Sequence, residues 1–409
     1  AERIVAVVSP GSVAGVNGTV TAGSGNSGDA VFAAAGTPKS KYEIRVEILS
    51  GGAFGTATFR WSRDGGINWS PTTATPAASG DGYSLGNTGV SVSWTDAEPD
   101  ASSFAANDTW QFTATAPESS VSEINTAIDY GMARQSVELI LVAQPVASGS
   151  WAALNAKGVA LAAAHKPVAI ICNAPWPTAE QTVDQWVTAL TTALGSFTTE
   201  CVSIMVGGAK ITDERGYEIE RGGSGIYAGR LAHDPVMRSP GRVLTGALTP
   251  ISGLNKLRPS GIEEAHLQAL AEAGFTVFRT YEGLSGYYVN NGAVHCESGS
   301  PYINIERVRS MHKLMRTARA AALLKAHDEW YEDGSDASLK DLESAVESEI
   351  KTRMMKGRDR ELSAFDVVIP TGQDVLGTEE IYAEVQAVPV GSTKKIKLYF
   401  SLWKQLPQL

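Results

Sequence analysis

The chain has 409 residues, of which 43% are hydrophobic and 19% charged, and its formal net charge is −10. That length predicts two or three domains at roughly 100–200 residues each, and the hydrophobic share is that of a globular chain with a large core. The acidic balance argues against a general nucleic-acid binder, which needs a basic face to neutralise phosphates, and no apolar run is long enough to span a bilayer.

The start, Ala1–Val8, lacks a basic stretch followed by a long apolar region, so no signal peptide is expected. Arg3–Val8 is a short apolar run broken by Ser9, Pro10 and Gly11, after which Gly, Ser, Ala and Asn dominate to about Asp29. Such a segment cannot bury enough surface to fold alone, and it reads as one strand followed by an extended arm. On composition alone, Ile4, Val5 and Val7 read as an edge strand of their own domain.

From Ala30 to about Pro117 the pattern is all-β. Tyr42–Ile48 alternates with period two, as a half-buried strand should, and Thr56–Trp61, Val90–Trp94 and Thr109–Thr115 follow suit. Ser62, Asp64, Gly66 and Trp69 fit Ser-x-Asp-x-Gly-x-x-Trp, the Asp-box pattern of sialidase-like propellers and other β proteins. Asp64 can accept turn hydrogen bonds and the glycines permit positive φ. A propeller would repeat the pattern in every blade; a single copy reads as a hairpin clip and not as a glycosidase.

From Ser119 the pattern becomes α/β. Val137–Ala143 is a continuous apolar run, as a buried strand should be. Trp151–His165 is Ala-rich and helical, and Pro167–Cys172 and Cys201–Val206 are further buried strands. Thr178 and Gln181 have capping-box spacing at a helix start. Val183, Trp186, Val187, Leu190 and Leu194 then form one apolar face, with Gly195 placed to stop it. This alternation predicts βαβ units and a largely parallel sheet. Cys172, Cys201 and Cys296 are odd in number and lack metal-like spacing, which points to buried free thiols and a reducing compartment.

The next stretch runs Gly225–Asp234 as a small-residue helix, Arg238–Arg242 as a Ser-Pro-Gly turn, Leu254–Asn255, a short apolar helix, Gly274–Thr280 as a strand, and Gly283. Tyr302 to about Trp330 predicts one long helix with Ile305, Val308, Met311, Met315 and Ala318 on its apolar face and Arg307, Arg309, Lys313, Arg316 and Arg319 making it basic. Such charge runs are usually a solvated face. Asp333–Ser335 breaks it, and Leu339, Leu342, Val346 and Ile350 form a second stripe. Ala364–Ile369, Glu380–Val388 and Lys395–Trp403 are strand-like, the last two joined as a hairpin through Gly391 and Ser392.

Catalytic chemistry finds little support. There is no P-loop and no His-Glu-x-x-His, and the six histidines are scattered singly. Gly222, Ser224 and Ile226 fall short of a nucleophile elbow, because Ile226 takes the place of the last glycine. Asp96, Glu98 and Asp100 lack the Gly and Glu frame of a calcium loop. No catalytic residue, cofactor or metal ligand is expected.

The ordered series from Gly225 to Arg309, closing on Tyr302-Ile303-Asn304-Ile305-Glu306-Arg307-Val308-Arg309, resembles the common core of contractile tail sheath proteins of phages and related injection machines. The resemblance covers roughly the C-terminal half, no single piece of it is a signature, and the N-terminal match is weak. It implies a sheath-type α/β (α+β) core with extended N- and C-terminal arms and an inserted all-β domain. The expected division is residues 1–29 as N-terminal strand and arm, 30–117 as a peripheral β insertion, 118–236 as the first part of the core, 237–379 as its second part, and 380–409 as a C-terminal arm hairpin. It further implies a non-enzymatic virion subunit, made in the host cytoplasm. Its partners would be itself in stacked hexameric rings, the tail tube, the baseplate and the tail terminator, with no nucleic acid and no membrane insertion. Strand addition between neighbours would use Ile4, Val5 and Val7 with Val385, Gln386, Val388, Lys397, Leu398 and Phe400, and some of Arg307, Arg309, Arg316 and Arg319 would meet acidic neighbours. The alternative is a phage adhesin or carbohydrate-binding structural protein that works through the β domain.

Overall fold

The computed structural model describes residues 4–394, apart from 10, 179, 196, 213–215, 332–335, 358 and 359. In chain order, the first module holds β1 (Thr21–Ala22), β2 (Val31–Gly36), β3 (Tyr42–Ser50), β4 (Thr58–Ser62), β5 (Tyr83–Ser84), β6 (Val90–Thr95) and β7 (Thr109–Ala114). They form two antiparallel sheets, β1-β7-β3-β4 and β2-β6-β5. The period-two pattern of β3 turns Ile44, Val46 and Ile48 inward, against Phe59, Trp94, Trp110 and Phe112 from the other strands. Phe32 of β2 stacks on Trp110 of β7 at 5.1 Å, which ties the two sheets together.

The Gly-rich segment before β1 does not stand free. Gly18 donates to the Thr113 carbonyl (2.8 Å), Thr115 to Val16 (2.9 Å) and Gly23 to Thr109 (2.8 Å), so residues 13–23 lie antiparallel along β7. Glycine permits this: a Cβ on Gly15 would sit 2.5 Å from the Thr115 oxygen. The arm expected from residue 9 to 29 is therefore docked on its own chain over most of its length. Residues 4–8 belong to no strand, and Ile4 is 87% exposed.

The second module continues with α1 (Val121–Arg134), β8 (Leu139–Pro145), α2 (Trp151–Ala163), β9 (Ala169–Asn173), α3 (Val183–Leu194), β10 (Val202–Met205), β11 (Gly208–Thr212), β12 (Glu218–Gly222), α4 (Gly223–His233), β13 (Leu257–Arg258), α5 (Glu264–Ala273), β14 (Phe278–Arg279) and β15 (Tyr288–Val289). The parallel sheet runs β10-β9-β8, and Thr276 extends it beside Met205. Central β9 is wholly buried. Its Ile170 and Cys172 face a core with α1, α2, α3 and α5, while Ala169 and Ile171 face α4 and the helix that starts at Ile305. The run 137–143, expected to be buried, forms the sheet edge instead; Val142 is covered but Leu141 is 40% exposed. On α3, Trp186, Val187, Leu190 and Leu194 are buried as the spacing predicts, each large side chain worth about 1.5–3 kcal/mol. The capping box lies four residues later than expected, at Thr182 and Gln185, where the apolar stripe begins; Thr178 and Gln181 close a turn before it.

The third module holds α6 (Ile305–Leu323), α7 (Ala337–Met354), β16 (Leu362–Val368), the short α8 (Val375–Thr378) and β17 (Glu384–Pro389). Helix α6 is shorter than expected, and its buried face turns as it passes between two cores. Ile305 and Val308 face the sheet, whereas Leu314 and Ala321 face α7, leaving Met315 exposed. On α7, Leu339, Leu342, Val346 and Ile350 are buried. β17 pairs antiparallel with β16 of the same chain, with Val385 opposite Val367. The expected strand Lys395–Trp403, including Lys397, Leu398 and Phe400, and the break at Asp333–Ser335 lie outside the described residues.

Candidate functional site

The pieces of the Gly225–Arg309 series are distant in sequence and meet in space. Gly223 starts α4 where a Cβ would lie 2.5 Å from Met205 Cε, so the helix can seat closely on the sheet. At the other end of α4, Asp234 is 3% exposed and is approached by Arg230 Nε (3.4 Å), His233 Nδ1 (3.2 Å) and Arg238 Nη1 (3.9 Å). The next turn closes through Arg238 to Pro235 and Arg242 to Ser239 backbone bonds. Its Gly241 lies against β15, where any Cβ would meet the Asn290 carbonyl at 2.8 Å. Ile305 donates to the Gly292 carbonyl at 2.7 Å, which locks the start of α6 to the same loop.

These contacts bring together Ser239, Asn291 and Glu306. Glu306, in the first turn of α6, is 1% exposed. The Lys394 ammonium donates to Glu306 Oε1, to Ser239 Oγ (2.8 Å) and to Asn291 Oδ1 (2.9 Å), and Ser392 Oγ donates to Glu306 Oε1 at 3.0 Å. The series that carries the resemblance thus builds a polar nest for Lys394, just before the C-terminal segment. Ser239 and Glu306 lie inside the series quoted from the sequence, but nothing there marked them, Asn291 or Lys394 as partners. The available signal was a glutamate inside Tyr302–Arg309.

The arginines of α6 divide. Arg309 is 9% exposed, and burial lowers its pKa despite nearby Glu138, Tyr227, Asp234 and Glu361. Arg316 donates to the carbonyls of Val137 (2.8 Å) and Pro167 and pairs with Glu138 at 3.4 Å. Arg316 is thus bonded within its own chain, and Arg309 is buried in it. Arg307 reaches the Pro301 carbonyl (3.3 Å), and Arg319 is exposed. Of the strand residues, Val385 is half-buried, Gln386 is exposed opposite Asp366, and Val388 is 56% exposed opposite Ala364; Ile4, Val5 and Val7 are exposed.

The Asp box closes a local clip. Ser62 Oγ donates to Asp64 Oδ1 (2.6 Å), and Asn68 donates to both Asp64 oxygens (2.9 and 2.7 Å). Burial pushes the Asp64 carboxyl up, but the hydrogen bonds from Ser62 and Asn68 outweigh it and hold the pKa below the usual value. Trp69 lies under the Arg60 guanidinium at 4.1 Å. The β module meets the core through polar contacts on the β11–β12 hairpin: Lys41 to Glu220 (2.7 Å), with Arg258 on the same carboxylate (2.7 Å), and Arg63 over Tyr217 (3.8 Å). The thiols of Cys172 and Cys201 are pushed up to about 12 and about 11 by burial, so neither is a ready nucleophile at neutral pH.

Two family models match the sequence, one described as DUF2586, N-terminal domain, over residues 2–293, the other as DUF2586, C-terminal domain, over 302–406. A curated protein of Haemophilus phage HP1 (strain HP1c1), named "Putative tail sheath protein", is 38% identical over 110 residues. That match covers 26% of this chain and 29% of the relative, less than a third of its length. Among solved structures, the PVC sheath complex of an extracellular contractile injection system, in its contracted state, superposes with a TM-score of 0.51 at 16% identity, over 70% of this chain and 75% of that one. The anti-feeding prophage baseplate gives 0.48 at 14% identity, over 71% and 76%. The mixed α/β fold implied by the resemblance is the fold found, shared with the PVC sheath protein.

Proposed function

The chain belongs to the DUF2586 family, and we propose that it is the sheath subunit of a contractile phage tail. The observation that carries this reading is the 38% identity to the HP1 protein, joined by the fold held in common with the PVC sheath. Copies stack as hexameric rings around an inner tube, between a baseplate and a terminator, in the virion. Contraction of the stack drives the tube through the host envelope. The work comes from energy stored in assembly, and the subunit is not an enzyme. Synthesis takes place in the host cytoplasm.

Neighbours stay joined by strand addition, which uses main-chain hydrogen bonds and survives rotation of the cores. The β16–β17 pair supports this role. Two-stranded sheets are marginal alone in water, and among the described residues β17 is paired only with β16. Val385, Gln386 and Val388 on β17, the segment with Lys397, Leu398 and Phe400, and the exposed Ile4, Val5 and Val7 are the proposed linking residues. Of the four candidates for charge contacts between subunits, Arg307, Arg309, Arg316 and Arg319, Arg307 and the exposed Arg319 are the better placed.

Sedimentation of the purified chain tests the reading. Polymers of large and regular size are expected. A stable monomer at high concentration that binds glycans through the β module would overturn it in favour of an adhesin.

A further inference from the structure

We infer that Lys394 is a fixed pivot after β17, and that Glu306, Ser239 and Asn291 form an ammonium clip that holds it to the core. The consequence for assembly rests on the sheath reading; the clip itself is a property of the single chain. An ammonium has three donors, and here three acceptors from separate parts of the chain take them: the turn after α4, the loop after β15, and the first turn of α6. The Glu306 carboxylate sits where the helix dipole favours an anion. Its Oε2 has no hydrogen-bond partner among the described residues, so Lys394 is the cation that offsets a buried charge.

Ser392 holds the same carboxylate from two residues earlier, so the chain is pinned twice after β17 ends at Pro389. A pull on the chain at Lys394 is then taken by the core. It does not peel β17 from β16. Without the clip, the first resistance to such a pull would be the hydrogen-bonded ladder of that two-stranded sheet.

Hydrogen exchange on the unassembled full chain, read by mass spectrometry, tests the clip. Lys394→Met and Glu306→Gln should each speed exchange at least ten-fold in peptides covering 385–394, with α7 and the N-terminal modules unchanged. The double variant should be no faster than the faster single one, because both remove one interaction. Ser239→Ala, which leaves the ion pair, should give a smaller increase in the same peptides and serves if Glu306→Gln fails to fold. Unchanged exchange at 385–394 in Lys394→Met would overturn the pivot, as would acceleration spreading equally through α7. Failure of the unmodified chain to polymerise would instead overturn the sheath reading and leave the exchange result standing.

Discussion

His312 is the most pH-sensitive side chain of α6. Burial, and then the neighbouring Arg316 charge, lower its pKa from 6.5 to about 4. The unfolded chain therefore takes up a proton that the folded chain resists. Stability from the neutral ring is complete above about pH 6.5 and is lost as pH falls from there to about 4. His312→Gln should flatten the drop in melting temperature between pH 7 and pH 5 relative to the unmodified chain; an identical drop would show that His312 does not titrate in this way. Legibility at this scale was uneven. The Asp box was readable because Ser62, Asp64 and Asn68 bond within one turn. The nest of Ser239, Asn291, Glu306 and Lys394 was not, because its members are brought together only by the tertiary fold, and a buried acid looks like any helix-start glutamate in sequence.

At the scale of elements, periodicity located the strands and helices of the parallel sheet and the buried stripes of α3 and α7. It failed where an element changes surroundings. The apolar run at β8 gave no sign that it would end as a sheet edge, and a single helical stripe did not describe α6, whose buried face serves two cores in turn. The Gly-rich N-terminal segment looked unable to fold, yet backbone pairing with β7 requires no side-chain burial. Proline at 385 removes an N–H from β17, beside Val367 in the β16 ladder. Val385→Pro should lower the melting temperature by several degrees, about 2–4 °C per kcal/mol for a domain of this class. The parallel-sheet cores, to which β17 does not contribute, should keep their circular dichroism, and polymerisation should be lost. Regular polymers from this variant would exclude β17 from the linkage.

For the whole molecule, the β module has its own hydrophobic cluster and meets the rest through polar contacts. Residues 13 and 118 are bridge partners, so a short Gly/Ser linker can replace residues 18–115 without moving the ends. The shortened chain should fold and still polymerise, since the proposed linkage lies elsewhere; a folded but strictly monomeric product would place the β module in the assembly contacts. The N-terminal family model ends at residue 293 and the C-terminal one begins at 302, shortly before α6. Self-assembly into a sheath is tested most directly by electron microscopy of the purified 409-residue chain. Long, transversely striated tubes with six-fold symmetry in cross-section are the result predicted. Dispersed monomers at every concentration and salt condition, with the chain folded by circular dichroism, would contradict it.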